Sequence, residues 1–348
     1  MNFSRGSGGL LAARRVWWYN DAEGSQMKLE LKNVTKKYDL DTLGIDGVSF
    51  CVENGTIGVA GEAGAGKFTL LGVIGGILDI DGGELLMDGK LMNDVPPAGR
   101  DALLVSGGKL PLRGSVERNL TYGLRLRGMR KDEAAARARE AAELAGVSGL
   151  LHRSARSLNA EERARAEIAR IAARRPKVAL INDICREIED ESVKRDTYAL
   201  LRHVREHIGD CVAVVAVSDG SELSYIGGQA AIMRGGTFVR VGRTEDMFSD
   251  PGTAYVARFI ASCPINVFRT DEGAFAVNAD DMRLTEGSCR VVGSGGGYTL
   301  LLAEEGMPPV VVRGETDGDT AGFIAEKRIK LTEETRKTDE NEENGPVS

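Results

Sequence analysis

One short run concentrates the chemistry of this chain: Gly61-Glu62-Ala63-Gly64-Ala65-Gly66-Lys67-Phe68-Thr69. It keeps the spacing G-x-x-x-x-G-K-[S/T] of a phosphate-binding loop as far as the lysine. Gly61, Gly64, Ala65 and Gly66 allow backbone N–H groups to converge on an anion, and Lys67 adds a positive charge. The pattern then requires a hydroxyl, to ligate the Mg²⁺ that accompanies a bound nucleotide. Phe68 stands there instead. Thr69 offers a hydroxyl one residue later, suited either to an α-phosphate or to capping the following helix. The run reads as a phosphate cradle without its metal ligand.

A cradle needs a strand to deliver it and a helix to receive it. Ile57-Gly58-Val59-Ala60 is a short apolar strand leading into the loop, and Leu70, Leu71, Val73, Ile74, Ile77 and Leu78 predict an apolar helix after it. The helix start contributes a partial positive charge to any anion held there. Upstream, Leu29-x-Leu31-x-x-Val34 and Val48–Val52 read as strands. Residues 115–175 read mostly as helix, and a further helix is expected near 190–207. Val178–Ile181 and Cys211–Val217 are apolar without alternation, as in strands buried on both faces. Strands alternating with helices predict a largely parallel α/β sheet. Near residue 262 the texture changes to short strands and many glycines, which predicts a small β domain. Gly293–Gly297 is expected to be a loop between its strands rather than a second phosphate site.

The chain has 348 residues, so two domains are expected. A net charge of −7 without a basic run argues against a nucleic-acid partner. Five cysteines, widely spaced, have neither disulfide-framework nor zinc spacing and fit a reducing compartment. No stretch reaches the ~18 apolar residues of a membrane span, so membrane association is expected through partners. Arg14-Arg15-Val16-Trp17-Trp18-Tyr19 invites a twin-arginine reading, but no apolar segment follows; a disordered extension, or a true start at Met27, is expected instead.

In this order, the elements resemble the ATP-binding subunits of ABC transporters, in particular the sugar-importer (maltose-type) branch, over about residues 27–332. Lys36-Lys37-Tyr38 resembles the segment whose aromatic residue stacks on adenine. Val95-Pro96-Pro97 with Gly99-Arg100-Asp101 looks like the link before the glutamine loop. Ser115–Leu120 and Tyr122-Gly123-Leu124 are similar to the start of the helical subdomain, and Ala169-Arg170 with Arg174-Arg175-Pro176 to the end of the signature helix. Tyr255–Ile260 with Pro264-Ile265-Asn266 looks like the junction to an accessory β domain.

The resemblance implies roles that the residues here alter. The glutamine-loop position is Ser106. The Walker B strand ends in Asn182-Asp183, where the family has a metal-binding Asp and a general-base Glu. The shorter Asp183 carboxylate meets an exacting geometry, ~2.6–3.2 Å to the proton abstracted, and a ~1 Å misplacement can cost on the order of 100-fold. The switch-histidine position is Ser218, which cannot act as a protonatable γ-phosphate partner. The signature Leu-Ser-Gly-Gly-Gln becomes Leu158-Asn159-Ala160-Glu161-Glu162. Asn159-x-x-Glu162 is a capping-box pattern that satisfies its own helix amides. Two carboxylates also stand where the opposite subunit's γ-phosphate would dock, and like charges ~4 Å apart cost about 1 kcal/mol even with water-like screening. His203 and His207 share one helix face, but without a third ligand or HExxH order a solvated face is the expected reading.

The expected fold is α/β: an ABC-type P-loop nucleotide-binding domain at 27–261, with a helical subdomain at about 113–175. An OB-like accessory β domain follows at 262–332, between an N-terminal extension at 1–26 and a charged, disordered tail at 333–348. The expected function is an ATP-binding, weakly or non-hydrolysing importer subunit for carbohydrate or a related solute. Nucleotide would contact Tyr38, Gly61, Gly64, Ala65, Gly66, Lys67, Phe68 and Thr69, with Asp183 and Ser218 at degenerate catalytic positions. ATP is the implied cofactor, while Phe68 and Asn182 remove expected Mg²⁺ ligands. Implied partners are membrane permease subunits and a second ATP-binding subunit in a head-to-tail dimer, placing the chain in the cytoplasm against the inner membrane face. A regulatory or assembly pseudo-ATPase, and an active ATPase tolerating the substitutions, are the alternatives.

Overall fold

The computed structural model describes residues 26–38, 43–107, 110, 114–262, 265–270, 273–295, 298–302, 310–313, 320–325 and 329–331. The expectations for the N-terminal extension, apart from Gln26, and for the charged tail lie outside the described residues, as do Cys263, Pro264, Gly296 and Gly297.

Strands β1 (Lys28–Lys37), β2 (Leu43–Glu53) and β3 (Thr56–Ala60) precede helix α1 (Lys67–Gly75). Next come β4 (Gly82–Met87), β5 (Lys90–Leu91) and β6 (Ala102–Ser106), then helices α2 (Val116–Leu126), α3 (Lys131–Leu144) and α4 (Ala160–Arg174). The chain continues through β7 (Val178–Asn182), α5 (Glu191–Ile208), β8 (Val212–Val217), α6 (Leu223–Ile226), β9 (Gln229–Arg234), β10 (Thr237–Arg243), α7 (Thr244–Ser249) and α8 (Ala254–Ile260). Strands β11 (Ile265–Thr270), β12 (Gly273–Asn278), β13 (Met282–Gly295), β14 (Tyr298–Leu302), β15 (Val310–Arg313), β16 (Thr320–Ala325) and β17 (Ile329–Leu331) follow.

The central sheet has the order β10-β9-β3-β8-β7-β6, parallel except for β10 at one edge. Its middle strands are buried on both faces because both faces carry a layer. In β8, Val212, Val214 and Ala216 enter the core shared with α1 and the antiparallel sheet β2-β1-β4-β5, while Ala213, Val215 and Val217 enter the core shared with α4 and α5. Each fully buried valine is worth about 1.5–3 kcal/mol over exposure, so an apolar run without alternation is what this position selects. A third cluster joins α2, α3 and α4 through Val116, Leu120, Ala138, Ala142, Ala166 and Ala169.

Behind α1, the guanidinium of Arg100 is buried and donates to backbone carbonyls of Val73 (2.6 Å), Ile74 (3.0 Å), Val95 (2.7 Å) and Met92 (2.6 Å). It closes the C-terminal end of α1 and ties that helix to the segment entering β6.

The C-terminal strands form two sheets, β11-β12-β17 and β14-β15-β13-β16. Gly293 and Gly295 depart from the expected loop: both belong to β13, and the register against β14 shifts between Val291 and Gly293. A bulge, where an extra residue must be absorbed, accounts for glycine inside this strand. Among the described residues no helix is long and apolar enough to cross a membrane.

Candidate functional site

The site lies at the carboxyl ends of β3, β8, β7 and β6, which are consecutive neighbours in the sheet. Ala60 lies opposite Val217, and Asn182 opposite both Ala216 and Ser106. This register sets the phosphate loop, Ser218, Asn182-Asp183 and Ser106 in one row, where open α/β sheets place their ligands. A cleft of about 380 Å³ opens there, lined among others by Tyr38, Leu43, Lys67, Phe68, Thr69 and Asp183.

Helix α1 starts open. Its N-cap is Gly66 at φ 104°, with no side-chain cap and no acidic residue in the first turn. A Cβ on Gly66 would meet the Gly44 carbonyl oxygen at 2.4 Å, so only glycine lets the loop lie against β2. Lys67 is buried, and its ammonium donates to the carbonyls of Gly61 and Glu62 (the latter at 3.0 Å). Burial lowers its pKa, against the opposing pull of Asp183 and Glu62. Every residue of α1 is buried except Phe68, which is 56% exposed and lines the cleft. Tyr38, 53% exposed, shares a hydrogen bond of 2.9 Å between its hydroxyl and Thr69 Oγ1. Of the two roles open to Thr69, capping is not the one adopted, because the helix begins at Gly66 and Thr69 turns to Tyr38.

The remaining groups of the row bond one another. Ser218 Oγ donates to Asp183 Oδ2 at 2.8 Å, and the Ser218 N–H to Oδ1 at 3.3 Å. Asp183 holds φ 51°, a conformation that aspartate tolerates better than most residues. The Asn182 amide donates to Ser106 Oγ at 3.3 Å.

Helix α4 starts closed. Asn159 Oδ1 accepts from the Glu162 N–H at 2.8 Å, and Glu162 Oε2 accepts from the Asn159 N–H at 3.0 Å, a complete capping box. Arg153 reaches Glu162 at 2.7 Å and the Ser157 carbonyl at 2.8 Å. The Asn159 N–H, with help from Arg153, holds the Glu162 carboxyl below the usual carboxylate range. Glu161 pairs with Arg165 at 2.9 Å, and Arg163 joins the Leu158 carbonyl and Glu187. One turn deeper, Glu167 is buried against Arg170 with Oε1 unpartnered, and burial pushes its carboxyl up to about 7.

Residues 45–185 match the family described as "ABC transporter". The sn-glycerol-3-phosphate import ATP-binding protein UgpC of Rhodopseudomonas palustris (strain BisA53) is 32% identical over 246 residues, covering 70% of this chain and 68% of its own. UgpC of strain ATCC BAA-98 / CGA009 is 30% identical over 306 residues, covering 84% of each. The chain belongs to the ATP-binding subunits of ABC transporters. The fold of these cassettes recurs in cbiO1 from Clostridium perfringens, part of the cbiONQ transporter complex, at TM-score 0.58 and 20% identity over 64% of this chain and 91% of that one. It recurs also in the ADP conformation of MJ1267, an ABC cassette, at TM-score 0.57 and 21% identity over 67% and 99%.

In this ABC subunit Gly64, Ala65, Gly66, Lys67, Phe68 and Thr69 line a single cleft with Tyr38, Asn182, Asp183 and Ser218, and Ser106 joins it through Asn182, while Gly61 lies outside the lining and accepts from Lys67. Asn159, Ala160, Glu161 and Glu162 make a second, separate feature at the start of α4. Sequence reading does not single out Leu43, Gly44 or Glu62, which also line the cleft. Glu62 lies inside the motif and is visible in that sense; Leu43 and Gly44 arrive from β2, and no local spacing marks them. His203 and His207 lie exposed one turn apart on α5.

Proposed function

We propose that this chain is the ATP-binding subunit of an ABC importer that holds nucleotide in the cleft of Lys67 but hydrolyses it weakly or not at all. The observation that carries this reading is the pairing of Asp183 with Ser218. A general base needs a free lone pair within ~2.6–3.2 Å of the water it deprotonates. Each carboxylate oxygen of Asp183 keeps a further lone pair, but the bonds from Ser218, the residue at the switch position, fix where this shorter side chain can present it.

The donors present do not fit Mg²⁺. Mg²⁺ selects oxygen ligands in octahedral array. Phe68 supplies no oxygen, Asn182 offers a neutral amide oxygen where a carboxylate is expected, and both Asp183 oxygens already accept from Ser218. The loop glycines, Lys67 and the uncapped start of α1 support nucleotide binding without the ion.

The likeness to UgpC supports a place in import of sn-glycerol-3-phosphate or a related solute, docked beneath permease subunits at the inner membrane face and paired head to tail with a second ATP-binding subunit. The capped start of α4 favours a second reading, a regulatory or assembly factor outside transport, since the Asn159 and Glu162 amides are taken by their own side chains and two carboxylates stand in its first turn. Co-purification with permease subunits supports the importer reading; a chain that regulates elsewhere does not co-purify with them.

An ATPase assay of the purified chain with Mg²⁺ tests the central claim. Turnover well below ordinary enzyme rates of ~1–10 s⁻¹ is expected, and turnover within that range overturns it. Calorimetry with ATP should give the same affinity with Mg²⁺ and with EDTA; a strong Mg²⁺ requirement overturns the loss of the metal site.

A further inference from the structure

We infer that the cleft selects its ligand by charge, taking a nucleoside diphosphate in preference to the triphosphate and doing so without a divalent cation. This rests on the nucleotide-binding reading above and adds which phosphate chain the site accepts. The charged side chains lining the cleft are Lys67, Glu62 and Asp183, one cation against two carboxylates. The lining is therefore net negative before any phosphate enters. The start of α1 offsets about half a charge, and only within its first turn. In such loops the backbone amides cradle the α- and β-phosphates and the lysine reaches on to the γ-phosphate, but here the Lys67 ammonium is turned to loop carbonyls. A third phosphate brings further negative charge into the cleft that holds the Asp183 carboxylate.

Swinging Asp183 aside to admit it would cost the bonds to Ser218. Ser218 grips both carboxylate oxygens at 2.8 and 3.3 Å. Lys67 is likewise committed, donating to the Gly61 and Glu62 carbonyls. The nucleoside end has a different welcome: Tyr38 and Phe68 expose more than half their surface in the same cleft, giving apolar rings against which a base can stack. Like charges ~4 Å apart, even at the dielectric of water, weaken association on the order of fivefold. Facing both carboxylates without a cation, the triphosphate should bind at least ~10-fold more weakly than the diphosphate.

Calorimetry of the full chain with ADP and with ATP, both in EDTA, tests this. ADP is expected to bind ~10-fold tighter, and the gap should narrow at high salt, where exposed charges are screened. Asp183→Asn should narrow it further by raising ATP affinity. Asparagine tolerates the positive φ and retains an oxygen for the Ser218 N–H, so the fold is kept. Glu62→Gln, at an exposed loop position, is an independent second variant with the same expected direction. ATP binding as tightly as ADP in EDTA, or a ratio unmoved by both substitutions, overturns the inference while leaving nucleotide binding standing. Absence of binding by either nucleotide overturns both.

Discussion

Two helices of this chain begin where ABC cassettes handle phosphate, and they begin in opposite ways. Helix α1 opens on Gly66 in the left-handed region, without a side-chain cap or an acid in its first turn. Helix α4 opens on Asn159 within a reciprocal capping box, with Glu161 and Glu162 in its first turn and Arg153 bridging to Glu162. The first leaves its amides and its partial positive charge for a ligand. The second uses its own side chains to satisfy two of those groups, the Asn159 and Glu162 N–H, and adds two first-turn carboxylates. A helix start binds an external anion only while its amides lack an internal partner, so the box that strengthens α4 by ~0.5–2 kcal/mol also closes it. In one chain, the loop half of a nucleotide site is kept open while the signature half is sealed.

The largest expected break in this contrast is Gly66→Ala. The added Cβ lands 2.4 Å from the Gly44 carbonyl oxygen at a φ of 104°. Strain of ~1–3 kcal/mol comes from the dihedral alone, and the backbone clash should carry the total to about 4 kcal/mol. Urea denaturation measures it, with loss of nucleotide binding. The matching exchange at α4, Ala160→Gly, should cost only ~0.5–1 kcal/mol. Equal costs at both starts would remove the distinction between an open and a sealed helix.

Glu167 sharpens the contrast within α4 itself. Glu162, at the surface, is held below the usual carboxylate range by the Asn159 N–H and Arg153, while Glu167, buried against Arg170, is pushed up to about 7. Between its unfolded value of 4.5 and about 7 the native state holds the Glu167 proton that the unfolded state has lost. Stability should therefore fall as pH rises through that window, by on the order of 3 kcal/mol, and level off above it. In Glu167→Gln that slope should vanish. Thermal or urea midpoints across the window, compared between the two proteins, measure it; parallel profiles would place the titration elsewhere.

How far such features can be read in advance depends on whether they are local. The Gly61–Thr69 loop and its flanking strand and helix are legible because spacing and apolar pattern are contiguous. So is β8, whose unalternated valines announce a strand covered on both sides. The Asn159-x-x-Glu162 box is legible because its partners are three residues apart. The Asp183–Ser218 and Asn182–Ser106 bonds span 35 and 76 residues and exist only because β6, β7 and β8 are neighbours in that order. Tyr38 meeting Thr69 is a similar case: each residue is notable alone, yet their bond, which leaves Thr69 no role as a cap, joins residues 31 apart in the chain. Gly293 read as loop because glycine marks turns and strand bulges alike, and only the register with β14 separates them.

Asn159→Ala, next in size, tests whether α4 is held by its cap. A loss of about 1 kcal/mol is expected in denaturant unfolding, since the Glu162 N–H loses its acceptor. Nucleotide affinity at the Lys67 cleft should not change, because the capping box is a separate feature. A coupled fall in affinity would show that the two helix starts communicate within one subunit.

The smallest effect concerns Glu161 and Arg165, paired at 2.9 Å and one turn apart on α4. Both side chains are partly exposed, so the pair should contribute only ~0.2–0.5 kcal/mol in a double-mutant cycle, and less at high salt. The sign is the informative part. Glu161 also interacts with the α4 dipole, favourably, because it is negative near an N-terminus. Glu161→Gln in a chain already carrying Arg165→Ala isolates that dipole contribution. A residual loss there means the first-turn acids stabilise α4 in their own right, as expected of a helix start that serves its own chain. No residual loss would mean that Glu161 acts only through Arg165, leaving Asn159 and Glu162 to seal the helix alone.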